Sequence, residues 1–415
     1  MTKSTSSQGT LTDPPSTRGD PPPRVHLPKR PQLSDVDFHR SPFLVIWETT
    51  QACDLVCVHC RAEAQPCRDT GELSTGEARA LMDRVRSFGQ PLFVLTGGDP
   101  FKRPDLLELV RYGSGLGLRM GLTPSATPLV TVEALEALAD AGLSRLAISL
   151  DGPDASRHDR FRGAPGSFQR SLEILEAAQP LGIPTQVNST VTRETAGDFE
   201  EMADLVEGLG ISLWSVFFLV PTGRARKEDV ATGQVFEEVF HRMYDRSRRV
   251  SFDIKSTAAP HYRRVVLQRQ VAERRRGARS TPLDPLDSTP GLSLERGRGV
   301  NDGNGFVFVS HRGDIFPSGF LPLAAGNVRR DDLVEVYRNH PLFQSLRDPD
   351  GLGGKCGVCE YRTVCGGSRA RAWALTGDPL AEEPYCVHRP KRWHGDLPNG
   401  PPAPSEGGRR LWSLR

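Results

Sequence analysis

Cys53-Asp-Leu-Val-Cys57-Val-His-Cys60 places three cysteines in eight residues, spaced C-x3-C-x2-C. An apolar run, Phe43-Leu-Val-Ile-Trp-Glu-Thr49, precedes it and reads as a strand. A loop leaving the C-terminal end of a strand can turn three thiolates toward one point. Cysteines at such short spacings ligate iron–sulfur clusters. Three thiolates leave one iron of a four-iron cluster without a protein ligand, open to a small molecule. A structural zinc site, with His59 as fourth ligand, is the alternative. Zinc knuckles favour C-x2-C pairs, and His59 beside Cys60 would strain a shared tetrahedron. The cluster is therefore the expected occupant.

The chain has 415 residues, enough for one large domain and a smaller one. It is 37% hydrophobic and 25% charged, which suits a soluble globular protein. A net charge of +2 makes no electrostatic case for a nucleic-acid partner. No apolar run approaches a bilayer span, and the N-terminus lacks the apolar core of a signal peptide. A cytoplasmic location without a membrane partner is expected. The eight cysteines then need a reason other than disulfides. Seven fall into two groups, which favours metal or cluster ligation.

Residues 1–40, rich in Pro, Ser, Thr and Gly, read as a disordered tail. Over 41–250, strand-like runs alternate with segments of helical period. The runs are Phe43–Thr49, Leu92–Leu95, Leu118–Leu122, Leu146–Leu150, Gln186–Val191 and Leu213–Leu219. Most are short and apolar, as in buried parallel strands. Ser74-Thr-Gly-Glu77 reads as a capping box opening the first helix. Six strand–helix repeats predict an α/β fold, a partial (β/α)6 TIM-like barrel with right-handed crossovers. Its ligand site belongs at the C-terminal ends of the strands, where the cysteine loop begins. Residues 251–304 include Arg274-Arg-Arg276 and a Pro/Ser/Gly-rich stretch, and read as a solvated linker rather than a basic docking patch. Residues 305–390 read as a small cysteine-rich α+β domain. It opens with a hairpin, Phe306–Ser310 then Ile315–Pro317, followed by short helices at Asp331–Tyr337 and Pro341–Arg347. Residues 391–415 read as a loose tail.

Thr96-Gly-Gly-Asp99 closes the second strand, and its glycines let backbone approach a ligand closely. Ser149 and Asp151 end the fourth strand, and Asn188 lies in the fifth. Such side chains hydrogen-bond hydroxyls and carboxylates, or simply cap the next turn. The second cysteine group is Cys356-x2-Cys359-x5-Cys365-x20-Cys386. Four thiolates saturate a four-iron cluster or one zinc, and spacing does not separate these. Cys67 reads as uninvolved.

The first motif, with His59 in its aromatic position, resembles the signature of the radical S-adenosylmethionine (radical SAM) superfamily. The resemblance implies SAM bound on the open iron of a [4Fe-4S] cluster and cleaved reductively to a 5′-deoxyadenosyl radical that abstracts hydrogen. It makes Gly97, Gly98 and Asp99 the loop holding the SAM amino group, with Asp99 replacing the family's glutamate. Ser149, Asp151 and Asn188 resemble its ribose and carboxylate contacts, with Arg162 beside them. Val220 resembles the backbone contact to adenine, and Thr123 and Ser125 are expected to face the same cavity. Cys356–Arg371 and Thr376-Gly-Asp378 resemble the SPASM/twitch extension. Ser318 stands where SPASM proteins often carry a cysteine, so one auxiliary [4Fe-4S] cluster is implied.

The stretches CVHCRAEA, FFLVPTGRA and CGGSRARAWALTGDPLAEEPYC resemble radical SAM enzymes that modify haem precursors. They imply a tetrapyrrole substrate, oxidative decarboxylation of a porphyrin propionate, and a ferredoxin or flavodoxin as reductant. Arg224, Arg226, Arg369 and Arg371 are candidates for holding carboxylates, since guanidinium pairs with them bidentately. Two alternatives stand beside this. One is maturation of a ribosomally made peptide, disfavoured because no winged-helix recognition pattern precedes residue 41. The other is a non-enzymatic zinc or iron–sulfur scaffold, for which Gly97, Gly98, Ser149 and Asn188 would be incidental.

Overall fold

The computed structural model describes residues 36–275 and 299–395. The readings made for residues 1–35, 276–298 and 396–415 lie outside the described residues.

The N-terminal half alternates strand and helix. Its strands are β1 Leu44–Glu48, β2 Leu92–Thr96, β3 Arg119–Leu122, β4 Leu143–Ser149, β5 Thr185–Val191 and β6 Leu213–Phe218. Its helices are α1 Thr75–Arg86, α2 Leu106–Gly115, α3 Val132–Asp140, α4 Ala155–Arg162, α5 Ser167–Ala178, α6 Phe199–Glu207 and α7 Gly233–Ser247. The chain continues with β7 Asp253–Thr257 and α8 Tyr262–Arg275. Strands β8 Phe306–Val309, β9 Asp314–Phe316 and β10 Gly326–Asn327 follow. The last helices are α9 Leu333–Asn339, α10 Pro341–Arg347, α11 Gly354–Gly357 and α12 Arg369–Thr376.

All ten strands form one sheet, ordered β10-β9-β8-β1-β2-β3-β4-β5-β6-β7. Strands β1 to β7 pair in parallel throughout. Period-two alternation gives the sheet two faces. Val45, Trp47, Phe93, Leu95, Trp214 and Phe218 are buried in the main core with apolar residues of the helices. Ile46, Glu48, Thr96, Ser149, Asn188 and Ser215 occupy the alternate face, toward the barrel interior. Ser149, Asn188 and Ser215 are direct neighbours across β4, β5 and β6, which sets a polar row inside. The expected capping box is formed: Ser74 accepts from Glu77 N–H, and Glu77 accepts from Ser74 N–H at 2.8 Å.

Two expectations need correction. The linker read from residue 251 does not begin there. Residues 253–257 extend the sheet as β7, in register with β6 (Ser215 opposite Lys255). Residues 262–275 form α8, which buries Val265, Val266 and Leu267. The short run Asp-Ile-Lys-Ser-Thr carries three polar inward positions, so an apolar-strand criterion passes over it. The expected hairpin, β8–β9, turns at Gly313 with φ of 89°. Its first strand also pairs in parallel with β1, so it continues the barrel sheet instead of opening a separate one.

Candidate functional site

The cysteine loop is positioned by the strand ends beneath it. After β1, the backbone is fastened to the glycine loop after β2. Thr49 N–H donates to Thr96 O at 2.7 Å, Gly98 N–H to Thr50 O at 2.8 Å, and Asp99 N–H to Ala52 O at 2.7 Å. A Cβ on Gly98 would lie 2.6 Å from Gln51 O, and one on Gly97 would overlap Thr50 O. This contact demands both glycines. The loop's far end is tied to β6: Arg224 N–H donates to Cys60 O at 3.0 Å.

The three sulfurs sit among hydrogen-bond donors. Leu55 N–H reaches Cys53 Sγ at 3.4 Å, and Ala64 N–H reaches Cys60 Sγ at 3.4 Å. Arg162 Nη1 lies 3.7 Å from Cys57 Sγ, and Ser125 Oγ lies 3.2 Å from Cys53 Sγ. Ser125 also donates to Gly98 O at 2.9 Å. Amide and guanidinium donors aimed at sulfur suit thiolates. A cavity of about 140 Å³ adjoins these donors, lined by Thr96, Gly97, Gly98, Ser125, Ser149 and Arg162 among others.

The remaining named residues take different places. Asp151 lies behind Arg162, its side chain fully buried and ion-paired to the guanidinium. Its other oxygen accepts from Thr190 N–H at 2.6 Å. Burial pushes this carboxyl up, but Arg162 and the nearby His59 and His158 outweigh that and hold it below the usual range. Asp151 therefore steers Arg162. Asn188 shares the inner face with Ser149, and its Oδ1 accepts from Gln186 Nε2 at 2.7 Å. Val220 is buried with Leu321, Leu342 and Ala370 of the C-terminal segment. Asp99 is fully buried; Thr127 Oγ1 donates to it at 2.7 Å and Phe101 N–H at 3.2 Å. Burial raises its carboxyl, and both oxygens serve the turn after the glycines. His59 stacks on Phe161 with centroids 4.2 Å apart. Burial, then the charge of Arg162, pushes it down to about 3.

The second cysteine group converges. Cys356, Cys359, Cys365 and Cys386 line one small enclosure with His261, Arg264, Lys355 and His388. Glu383 N–H reaches Cys356 Sγ at 3.3 Å, Tyr361 N–H reaches Cys359 Sγ at 3.4 Å, and Gly367 N–H reaches Cys365 Sγ at 3.3 Å. Burial pushes the Cys359 thiol up to about 11 and Cys386 to about 12. Thiols this buried become thiolates only with a positive group among them. Cys359, Glu360 and His388 also bring ligand atoms within 4.8 Å of one another.

Three of the four arginines named for carboxylates are otherwise engaged. Arg371 is buried, paired with Glu383, and donates to Phe218 O, Leu219 O and Ala258 O. Arg369 donates to Gly367 O, Pro379 O and Ala381 O. Arg226 is exposed and pairs with Asp229. Arg224 differs: its Nε and Nη2 are shielded from water and hydrogen-bond nothing. Cys67 is exposed and free.

Sequence reasoning missed a polar junction at the end of β1. Buried Glu48 accepts from Arg61 at 2.7 Å and lies 2.9 Å from His311 Nδ1, while Arg61 stacks over Phe308 at 4.7 Å. The lone glutamate in an apolar strand was the available signal. His261 was missed because it follows β7, inside the segment read as linker.

A profile of the radical SAM superfamily matches residues 47–206. The chain is similar to the AdoMet-dependent heme synthase of Methanosarcina barkeri, 42% identical over 350 residues, covering 84% of this chain and 97% of that protein. It is 43% identical over 351 residues to the AdoMet-dependent heme synthase of Oleidesulfovibrio alaskensis, covering 84% and 88%. The fold is similar to Streptococcus suis SuiB bound to S-adenosylmethionine, with TM-score 0.64 and 16% identity, covering 84% of this chain and 78% of that one.

Proposed function

The chain belongs to the radical SAM superfamily, and on that premise we propose that it converts a porphyrin propionate to a vinyl group in haem formation. Cys53, Cys57 and Cys60 hold the [4Fe-4S] cluster, which when reduced supplies the electron that cleaves SAM to the 5′-deoxyadenosyl radical. Gly97 and Gly98 offer backbone to the SAM amino group, and Ser149 and Arg162 hold its carboxylate and ribose. Asn188 extends that polar row, and Asp151 holds Arg162 in place. The single observation that carries this reading is the cavity whose wall includes Ser125, which bridges Cys53 Sγ and Gly98 O, and Arg162, which reaches Cys57 Sγ.

The substrate reading draws on the heme synthase relatives, which this chain matches over nearly their whole length. Removing a hydrogen atom from the propionate carbon β to the carboxylate yields 5′-deoxyadenosine. Loss of CO2 and one electron then leaves the vinyl group. Cys356, Cys359, Cys365 and Cys386 hold a second [4Fe-4S] cluster, whose chemistry is one-electron acceptance. Their four thiolates with three N–H donors fit that group. Arg224, with two unsatisfied guanidinium nitrogens, is the arginine left to pair a substrate carboxylate. A ferredoxin or flavodoxin supplies the priming electron.

The test is anaerobic reconstitution, iron counting, then dithionite and SAM with and without iron-coproporphyrin. Formation of 5′-deoxyadenosine and haem is expected. 5′-Deoxyadenosine without any change in the porphyrin would overturn the substrate; its absence from a fully loaded sample would overturn the reaction.

A further inference from the structure

His261 has no counterpart in the reading above. It lies just before α8, 1% exposed, with Phe240 edge-on at 4.7 Å and Phe236 at 6.3 Å. Both ring nitrogens are buried, and neither has a hydrogen-bond partner among the described residues. A buried polar atom left unpaired gives up its hydrogen bond to water and gains none in return. A neutral imidazole carries one donor and one acceptor, so this ring bears that cost twice. Phenylalanine would fill the same aromatic pocket without it. A ligand is what repays the imidazole.

The ring forms part of the wall of the enclosure that Cys356, Cys359, Cys365 and Cys386 share. The other cationic side chains on that wall have protein partners. Arg264 pairs with Glu237 and donates to Gln268 at 2.8 Å, and Lys355 donates to Cys386 O. His388 lies 3.2 Å from Glu360. Arg264 leaves only its Nε unpaired, and His261 is the one of these side chains with no hydrogen-bond partner at all among the described residues.

We propose that His261 donates a ring N–H to the auxiliary cluster held by these four cysteines, and so makes that cluster easier to reduce. The inference rests on the second-cluster reading given above. A hydrogen bond to cluster sulfur stabilises the more negative, reduced state, and such bonds set cluster potentials. His261 is a positioning and tuning residue, not a ligand, because the four thiolates already saturate the cluster.

The test uses the full chain with Cys53, Cys57 and Cys60 replaced by alanine, so that only the second cluster contributes a signal. A redox titration followed by electron paramagnetic resonance compares the parent with His261→Phe and His261→Gln. The phenylalanine keeps the packing and removes the donor; the glutamine keeps a donor. His261→Phe is expected to lower the reduction equilibrium constant about tenfold, ~59 mV for one electron. His261→Gln recovers part of that shift, and iron content is unchanged in both. A reduction equilibrium constant for His261→Phe within twofold of the parent, ~18 mV for one electron, overturns the inference while leaving the cluster standing. Loss of iron in both variants also overturns it, because His261 would then be needed to hold the metal. A parent that carries zinc and gives no signal overturns the cluster reading itself.

Discussion

Replacing Arg371 with methionine tests whether one buried guanidinium holds the C-terminal segment to the barrel. The Arg371 side chain is 0% exposed and Glu383 is 1% exposed. The guanidinium pairs with Glu383 and donates to Phe218 O and Leu219 O at the end of β6, and to Ala258 O after β7. Methionine fills similar volume but leaves three carbonyls and a buried carboxylate without their donor. Breaking a buried pair by removing one partner costs about 3–5 kcal/mol. Glu383 keeps N–H bonds from Ser368 and Tyr385, which favours the lower end. Unfolding entropy of about 2.1 cal/mol/K per residue, over the roughly 340 described residues, is about 0.7 kcal/mol/K. A loss of ~3 kcal/mol therefore lowers the melting temperature by ~4 °C. Pairing it with Glu383→Gln removes the stranded charge, so the double variant should be less destabilised than the two single losses added together, by about 2 kcal/mol. Thermal melts of the anaerobically loaded proteins, followed by circular dichroism, supply all four corners of the cycle. A melting point for Arg371→Met within 1 °C of the parent, or strict additivity in the double variant, refutes the clamp.

Three further outcomes are expected. Cys53→Ala should lose about half the iron and all SAM cleavage, whereas Cys365→Ala should lose the other half, keep substrate-free cleavage and lose haem formation; iron assay and chromatography of 5′-deoxyadenosine separate them. Gly98→Ala forces a methyl against backbone at Gln51 and Ala52, so a loss of about 1–3 kcal/mol in urea unfolding and at least tenfold weaker SAM binding by calorimetry are expected. Glu48 titrates below its ordinary 4.5: burial pushes it up, but Arg61 and His311 outweigh burial. Its folded value is depressed, so its stabilisation is complete above about pH 4.5 and lost as pH falls through the folded value. Glu48→Gln should be the less stable protein at pH 7, with the gap narrowing below pH 4.5 in urea midpoints.

The main strands were legible because each was a short apolar run with a turn signal behind it. That Cys356, Cys359, Cys365 and Cys386 belong together was legible from their clustering in sequence, and the structure brings all four to one enclosure. β7 was not, since its inward residues Asp253, Lys255 and Thr257 face a polar interior and break the apolar pattern. Helix α4 was also missed: eight residues, most of them polar, with only His158 and Phe161 buried. It nonetheless carries Arg162 to Cys57 and Asp151. Arg369 and Arg371 look like surface arginines by type; tertiary contacts bury them, and a sequence holds no local sign of that.

The placement of β8 and Arg371 changes what the C-terminal segment is for. A partial barrel has two edges, and its strands must not be left open to solvent or to another sheet. On one side, β8 pairs in parallel with β1 from Leu44 to Trp47. On the other, Arg371 takes the carbonyls that end β6 and follow β7. Phe320 meets Phe217 on the inner face of β6, 6.3 Å between centroids. One segment thus grips both sides of the opening, and its four cysteines are fixed relative to the barrel by the same contacts. An electron acceptor for a radical made inside the barrel has to be held in that way, since a mobile domain would let the radical find other partners. On the proposed function, the clamp and the second cluster would be parts of one device. Arg371→Met should accordingly uncouple 5′-deoxyadenosine formation from haem formation at temperatures where the protein is still folded.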